Sequence, residues 1–263
     1  MFIWLETPLQ IKRSAGMNRD KNDKADSYQI ALYAYRFKDK AKCWQTPNEN
    51  IKSLEILFSF RNRLLTSKHG LLVSSKELRK VLNKNTTAEF VYEQSVKEIA
   101  SLDEQIKKVE QEMKRIIKEN QTLQKNYDLI TSINGISFVN AIAILVYTRN
   151  FEDFDNARCF SCYAGTAPFG KQSGTSINTA PHVSKLANKR MKSLLTQAAR
   201  AAARYDPVIK AYYQRKIAEG KNKRLVINNI CNKLIHRIFA VVQHKQAYQP
   251  DYQRKSIVNK MAA

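Results

Sequence analysis

The sequence predicts a mostly α-helical protein with a long antiparallel coiled-coil arm and a compact helical C-terminal domain. Three observations predict it. Glycine and proline, the residues that interrupt helices, number only seven and six in 263. Leu57, Leu64, Leu71 and Leu78 stand seven apart, with Leu54 and Leu82 in the partner heptad position. Downstream, Ile99, Leu102, Ile106, Val109, Met113, Ile116, Asn120 and Leu123 alternate spacings of three and four, the pattern of a two-stranded seam.

Taken in order, the elements fall into three zones, with domains expected at 1–45, 46–126 and 127–263. The first zone opens on the apolar stretch Phe2 to Leu5 and passes a basic loop with Lys12, Arg13, Arg19 and Lys21. It then enters a helix near Asn22 that carries Tyr28, Ala31, Leu32 and Tyr35 at helical spacing. The second zone, Pro47 to Lys125, is the hairpin. Thr86 with Glu89 reads as a capping box that starts its second arm, and Asn120 reads as a polar seam residue of the type that fixes register. Whether the arms pair within one chain or between two stays open.

The third zone starts at Tyr127. Helix, a turn centred on Gly135, and the apolar helix Phe138 to Thr148 resemble a helix-hairpin-helix, which holds a phosphate with turn amides and a helix N-terminus. An ordinary αα-turn is the alternative. The stretch Gly165 to His182, rich in Gly, Ser, Thr and Pro, reads as irregular. Three helices follow. The first, Lys185 to Arg204, sets a basic stripe (Lys185, Lys189, Lys192, Arg200, Arg204) opposite Met191, Leu194, Leu195, Ala198 and Ala202. Asp206-Pro207 caps and opens the second, which stops at Gly220, and the third spans about Lys223 to Val242. The tail after His244 reads as frayed.

Charge sets the partner class. The net charge is +22, and from Pro181 to Ala263 there are 18 Lys or Arg against three acids. Such a field attracts polyanions and points to DNA or structured RNA. Four irregularly spaced cysteines exclude a disulfide framework, and no signal peptide or apolar run of membrane-spanning length is legible. The chain reads as cytoplasmic, with no membrane partner.

Three groups of residues bear on chemistry. Asp23 and Asp26, at i and i+3, can turn two carboxylates toward one point, though two-metal phosphoryl chemistry takes three or four such ligands. Cys159 and Cys162 form one C-x-x-C with no second pair, so no zinc is assigned and two buried helical thiols are expected. The loop from Gly165 to Ser176 offers Lys171, Ser173 and Ser176 between glycines. It suits a phosphate grip as well as a nucleophile, which needs a neighbouring base or cation.

Together these residues resemble the transposases of the IS-one-ten insertion-sequence family, the bridge-RNA-guided DEDD-plus-serine recombinases. The resemblance rests on Lys21-Asn22-Asp23-Lys24-Ala25-Asp26, then the arm, then Tyr163-Ala164-Gly165-Thr166-Ala167-Pro168 with Ser173-Gly174. Ser184-Lys185-Leu186-Ala187-Asn188 and Ala198-Ala199-Arg200 follow. It implies that residues 1–45 are the remnant of an RNase H-like (RuvC-like) domain and that Asp23 and Asp26 are the last two carboxylates of a tetrad holding Mg²⁺. It also implies that Ser173 attacks DNA and that a structured guide RNA is a partner. The first Asp and the Glu of that tetrad would precede Met1, so the chain reads as truncated, and Ala187 stands where members usually carry glycine. Gly135, Lys171, Lys185, Lys189, Lys192, Arg200 and Arg204 are the expected nucleic-acid contacts, and the arm is the expected route to a homo-oligomer. The competing reading is a basic helical DNA- or RNA-binding protein without chemistry.

Overall fold

The computed structural model describes residues 3–16, 22–46, 48–80, 86–173, 177–184 and 186–250, and from 171 to 182 the backbone of the strands only. Among these residues are ten α-helices and one two-stranded ribbon. The chain divides into two compact units, Met1–Asn48 and Glu49–Ala263.

In the first unit, helix α1 (Pro8–Ser14) opens with proline, whose fixed φ and missing N–H suit a first turn. Lys12 and Arg13 therefore lie on a helix rather than in the expected loop, while Arg19 and Lys21 fall outside the described residues. Helix α2 (Asp23–Arg36) starts where Asn22 Oδ1 accepts from the Ala25 N–H at 2.8 Å. Its packed residue is Tyr33, which was absent from the expected set. The Tyr33 ring lies 5.4 Å from that of Trp4 and 4.8 Å from that of Phe37, and its hydroxyl donates to Glu6 at 2.9 Å. Tyr28 and Tyr35 are instead 69% and 75% exposed. Helical spacing identifies a stripe but not the partner that covers it.

The second unit begins with the arm. Helices α3 (Glu49–Leu78) and α4 (Thr86–Glu119) pack along one another within the chain. Arg61 pairs with Glu110 at 2.7 Å. Seven residues later on α3 and seven earlier on α4, Lys68 pairs with Asp103, which fixes the antiparallel sense. Ile51, Leu54, Phe58 and Leu64 face Leu102, Ile106, Val109, Met113 and Ile116 in the seam. Of the four leucines spaced seven apart only Leu64 is buried, whereas Leu57 and Leu71 are half-buried; Leu54, in the partner position, is buried too. Toward the tip the seam turns polar. Ser75 and Ser95 are buried there, their hydroxyls donating to the Leu71 and Val91 carbonyls of the preceding turns.

Asn120 departs from expectation. It ends the arm and caps the next helix, α5 (Gln121–Thr131), its Oδ1 accepting from the N–H groups of Thr122 and Leu123 at 3.1 and 3.0 Å. An asparagine whose amide oxygen serves its own following turn stabilises a helix start better than a seam. Leu123 accordingly lies on α5, past the end of the arm, and is buried in the core that the two share.

That core is built around α6 (Phe138–Tyr147), where every side chain from Ala141 to Leu145 is buried. Helix α7 (Ala157–Tyr163), the antiparallel strands β1 (Pro168–Ser173) and β2 (Ile177–Val183), and helices α8 (Lys189–Tyr205), α9 (Pro207–Ala218) and α10 (Lys223–His244) complete it. Side-chain caps from Ser137, Asn156, Asn188, Asp206 and Asn222 start the helices from α6 on. Helix α8 begins at Lys189, not Lys185, because Asn188 is its cap; Lys185 lies outside the described residues. The stretch expected to be irregular is mostly strand, since Phe169, Ile177, Thr179 and Val183 favour extended backbone. Helix α10 is long and apolar enough to cross a membrane by length and composition, a feature the sequence reading passed over. Its apolar side (Val226, Ile230, Leu234, Ile238) is buried in the core.

Candidate functional site

The ribbon β1–β2 carries the candidate nucleophile. Ser173 is the last residue of β1 and pairs with Ile177, and Lys171 pairs with Thr179; Gly174, Thr175 and Ser176 lie outside the described residues. A register irregularity falls between Phe169 and Lys171, where Gly170 has open space around it.

The base of the ribbon is clamped from both ends. Asn188, just after β2, donates its N–H to the Tyr163 carbonyl at 2.8 Å and its side-chain amide to the Tyr163 hydroxyl at 2.7 Å. Its own Oδ1 accepts from Met191 N–H at 2.9 Å, so one asparagine ties the chain before β1 to the start of α8. Burial pushes the Tyr163 hydroxyl above its ordinary range, with the Asn188 bond acting in the opposite direction. Gly165 has φ +68°, and a Cβ there would collide with Ala187. Two small residues are thus needed where the entering and leaving chains cross. From α10, Asn228 donates to the Thr166 carbonyl at 3.0 Å.

Helix α8 leads away from this base. Lys189, Arg200 and Arg204 are exposed on it, while Lys192 is half-buried, its Cδ 3.7 Å from where a Gly165 Cβ would stand. Among the described residues no carboxylate pairs with these four cations. Arg190 turns to the arm and donates to Asn62. The sequence reading held Tyr163 and Asn188 only as motif residues without a role, and it missed Asn228. An Asn before a basic helix is a cap signal, but no spacing announces its second bond to a tyrosine 25 residues away.

Gly135 also has a packing task that the sequence did not announce. Its φ is +97°, and a Cβ would lie 2.7 Å from both the Ala198 carbonyl oxygen and the Ala202 nitrogen. The turn between α5 and α6 is therefore pressed against the α8 backbone, and close helix packing accounts for the glycine. Cys159 is exposed and Cys162 only half-buried, contrary to the expected buried pair; Phe160, between them, fills the core instead.

Asp23 and Asp26 both sit exposed in the first turn of α2. Among the described residues no group of three or more His, Cys, Asp or Glu side chains could hold a metal ion. Two carboxylates on one turn do not fit an octahedral Mg²⁺ site.

The ribbon ending in Ser173 thus stands at the foot of a helix whose Lys189, Lys192, Arg200 and Arg204 have no carboxylate partner among the described residues. Comparison with known proteins gives the family. Residues 127–214 match the model of the Transposase IS116/IS110/IS902 family, and this segment belongs to it. Over 121 residues the chain is 30% identical to the insertion element IS110 uncharacterized 43.6 kDa protein of Streptomyces coelicolor, covering 46% of this chain and 30% of that one. Over 236 residues it is 25% identical to the pilin gene-inverting proteins of Moraxella lacunata and Moraxella bovis, covering 88% of this chain and 68% of theirs.

Proposed function

We propose that this chain is a DNA transposase or recombinase of the IS110 type that cuts and rejoins DNA through Ser173, with a structured guide RNA as partner. The observation that carries the reading is the position of Ser173 at the end of a ribbon whose base is tied, through Asn188, to the cationic helix α8. The name of the Moraxella relatives, which invert a pilin gene, agrees with DNA rearrangement. In the proposed step the Ser173 hydroxyl loses its proton as its oxygen bonds to a backbone phosphorus, the P–O3′ bond breaks, and the released 3′-oxygen takes up a proton in turn. A 5′-phosphoserine link results. Lys189, Lys192, Arg200 and Arg204 neutralise phosphates nearby, with Lys171 and Lys185 as further candidates; the turn amides at Gly135 are a weaker one. Residues 1–45 serve as the end of an RNase H-like domain, 46–126 as the arm through which copies associate, and 127–263 as the serine-bearing domain.

The test is covalent trapping. The chain is incubated with DNA carrying the element ends and with the flanking RNA, then run on a denaturing gel. An adduct present in the wild type, kept in Ser176→Ala and lost in Ser173→Ala is the expected result. An adduct that survives Ser173→Ala removes the assignment. The second reading, a DNA- or RNA-binding protein without chemistry, draws support from Asp23 and Asp26 standing without a third metal-ligating side chain among the described residues. It predicts retention of DNA with no adduct in any variant.

A further inference from the structure

Away from the ribbon, α9 and α10 enclose a recess of about 330 Å³ that none of the roles above uses. Val208, Ala211, Tyr212 and Arg215, spaced zero, three, four and seven along α9, form one wall; Lys233 and Arg237, one turn apart on α10, form the other. The Tyr212 ring is a platform for two of the cations. Lys233 Nζ lies 4.7 Å from its centroid and the Arg215 guanidinium 5.8 Å. Arg237 is fixed by the fully buried Asp206 at 3.0 Å and lies over Tyr248 at 4.6 Å. Its position is set, and so is most of its charge.

The other two cations are less satisfied. Glu219, the acid nearest Arg215, is 3.8 Å away and is held at 2.6 Å by Lys216. Among the described residues no carboxylate pairs with Lys233. Two cations with no close counter-ion, steered by one ring into a recess with an apolar lip at Val208, suit a single anionic group. A volume at the lower end of small-ligand sites suits a phosphate with its sugar better than a whole cofactor.

We propose that this recess between α9 and α10 is a second nucleic-acid contact, in which Arg215 and Lys233 receive a backbone phosphate of duplex DNA. It rests on the reading that the chain binds DNA and adds an anchor outside the ribbon and the α8 stripe. A phosphate neutralised by this pair releases its condensed counterion, so the contact is visible in the salt dependence of binding.

The experiment measures affinity of the full chain for a fluorescent duplex DNA and for an RNA hairpin across a salt series. Arg215→Gln with Lys233→Gln should lower the slope of log K against log salt for DNA by about 1. Lys107→Gln with Lys118→Gln, the same charge removed from the exposed arm, should leave it unchanged. Tyr212→Phe keeps the ring and should bind as wild type, whereas Tyr212→Ala releases both cations and should lower the slope as the double variant does. Circular dichroism verifies that each variant is folded. Protection of Lys233 from acetylation by bound DNA gives a readout independent of mutation. A steep wild-type slope that the double variant leaves intact, an equal fall in the arm variant, or a fall confined to RNA overturns the proposal. A flat wild-type slope instead overturns the DNA reading itself.

Discussion

At Gly135 a side chain would have to share space with the α8 backbone, whereas at Gly70, in the middle of α3, nothing lies within 4 Å of the added carbon. The two glycines therefore respond oppositely to the same substitution. Gly135→Ala should cost about 3 kcal/mol, from positive-φ strain and overpacking, and lower the melting temperature by several degrees. Gly70→Ala should raise it, since alanine loses about 1 kcal/mol less than glycine in a helix interior. Thermal melts of the pair check this, and equal shifts would refute the packing argument. Cysteine reactivity follows burial in the same way. Burial pushes the Cys231 thiol up to about 11, so at pH 8 it stays protonated, and it is also sterically covered. Iodoacetamide at that pH should label the exposed Cys43 and Cys159 and spare Cys231, as peptide mass spectrometry would show.

Among the elements, α9 depends most on one residue. Asp206 is buried, and one of its oxygens accepts from Ile209 N–H at 2.8 Å while the other holds Arg237 at 3.0 Å. Asp206→Ala removes a helix cap and leaves a half-buried guanidinium unpaired, an expected loss of about 3 kcal/mol. Asn120→Ala, which removes only a cap on a partly exposed turn, should lose about 1 kcal/mol. Urea titrations of the two variants test the ranking; a larger loss at Asn120 would mean that it holds the arm's register after all. These caps show how far local sequence reaches. The Asp-Pro start of α9 was legible because both residues act within one turn. The Asn120 cap was not, because an asparagine on a three-four repeat has two local uses. Only the end of the seam chooses between them.

For the whole molecule, the basic excess matters through its distribution. Lys189, Arg200 and Arg204 stand exposed on α8 with no carboxylate partner among the described residues, so they should meet phosphates directly. Replacing all three by glutamine should lower the salt slope of DNA binding by about 3, measured by filter binding. A slope that does not move would place the DNA elsewhere. Divalent metal is expected to interact weakly with the chain, since Asp23 and Asp26 leave most of a Mg²⁺ octahedron to water. Titration calorimetry that found tight, stoichiometric Mg²⁺ binding abolished in Asp26→Asn would contradict this.

The sequence by itself determined the helical class, the two arms and most of the C-terminal helix boundaries. All three are set by spacing, helix-breaking residues and caps, which operate within a few residues. It also determined the basic character, a property of composition. Only the tertiary structure decided that Tyr33 rather than Tyr28 or Tyr35 is covered and that Gly135 serves close packing. It decided too that Asn188 bolts the serine ribbon to α8, and that Arg215 and Lys233 converge on one recess. Each of these depends on which distant residue arrives opposite, and a periodic pattern fixes the direction of a side chain without naming what it will meet.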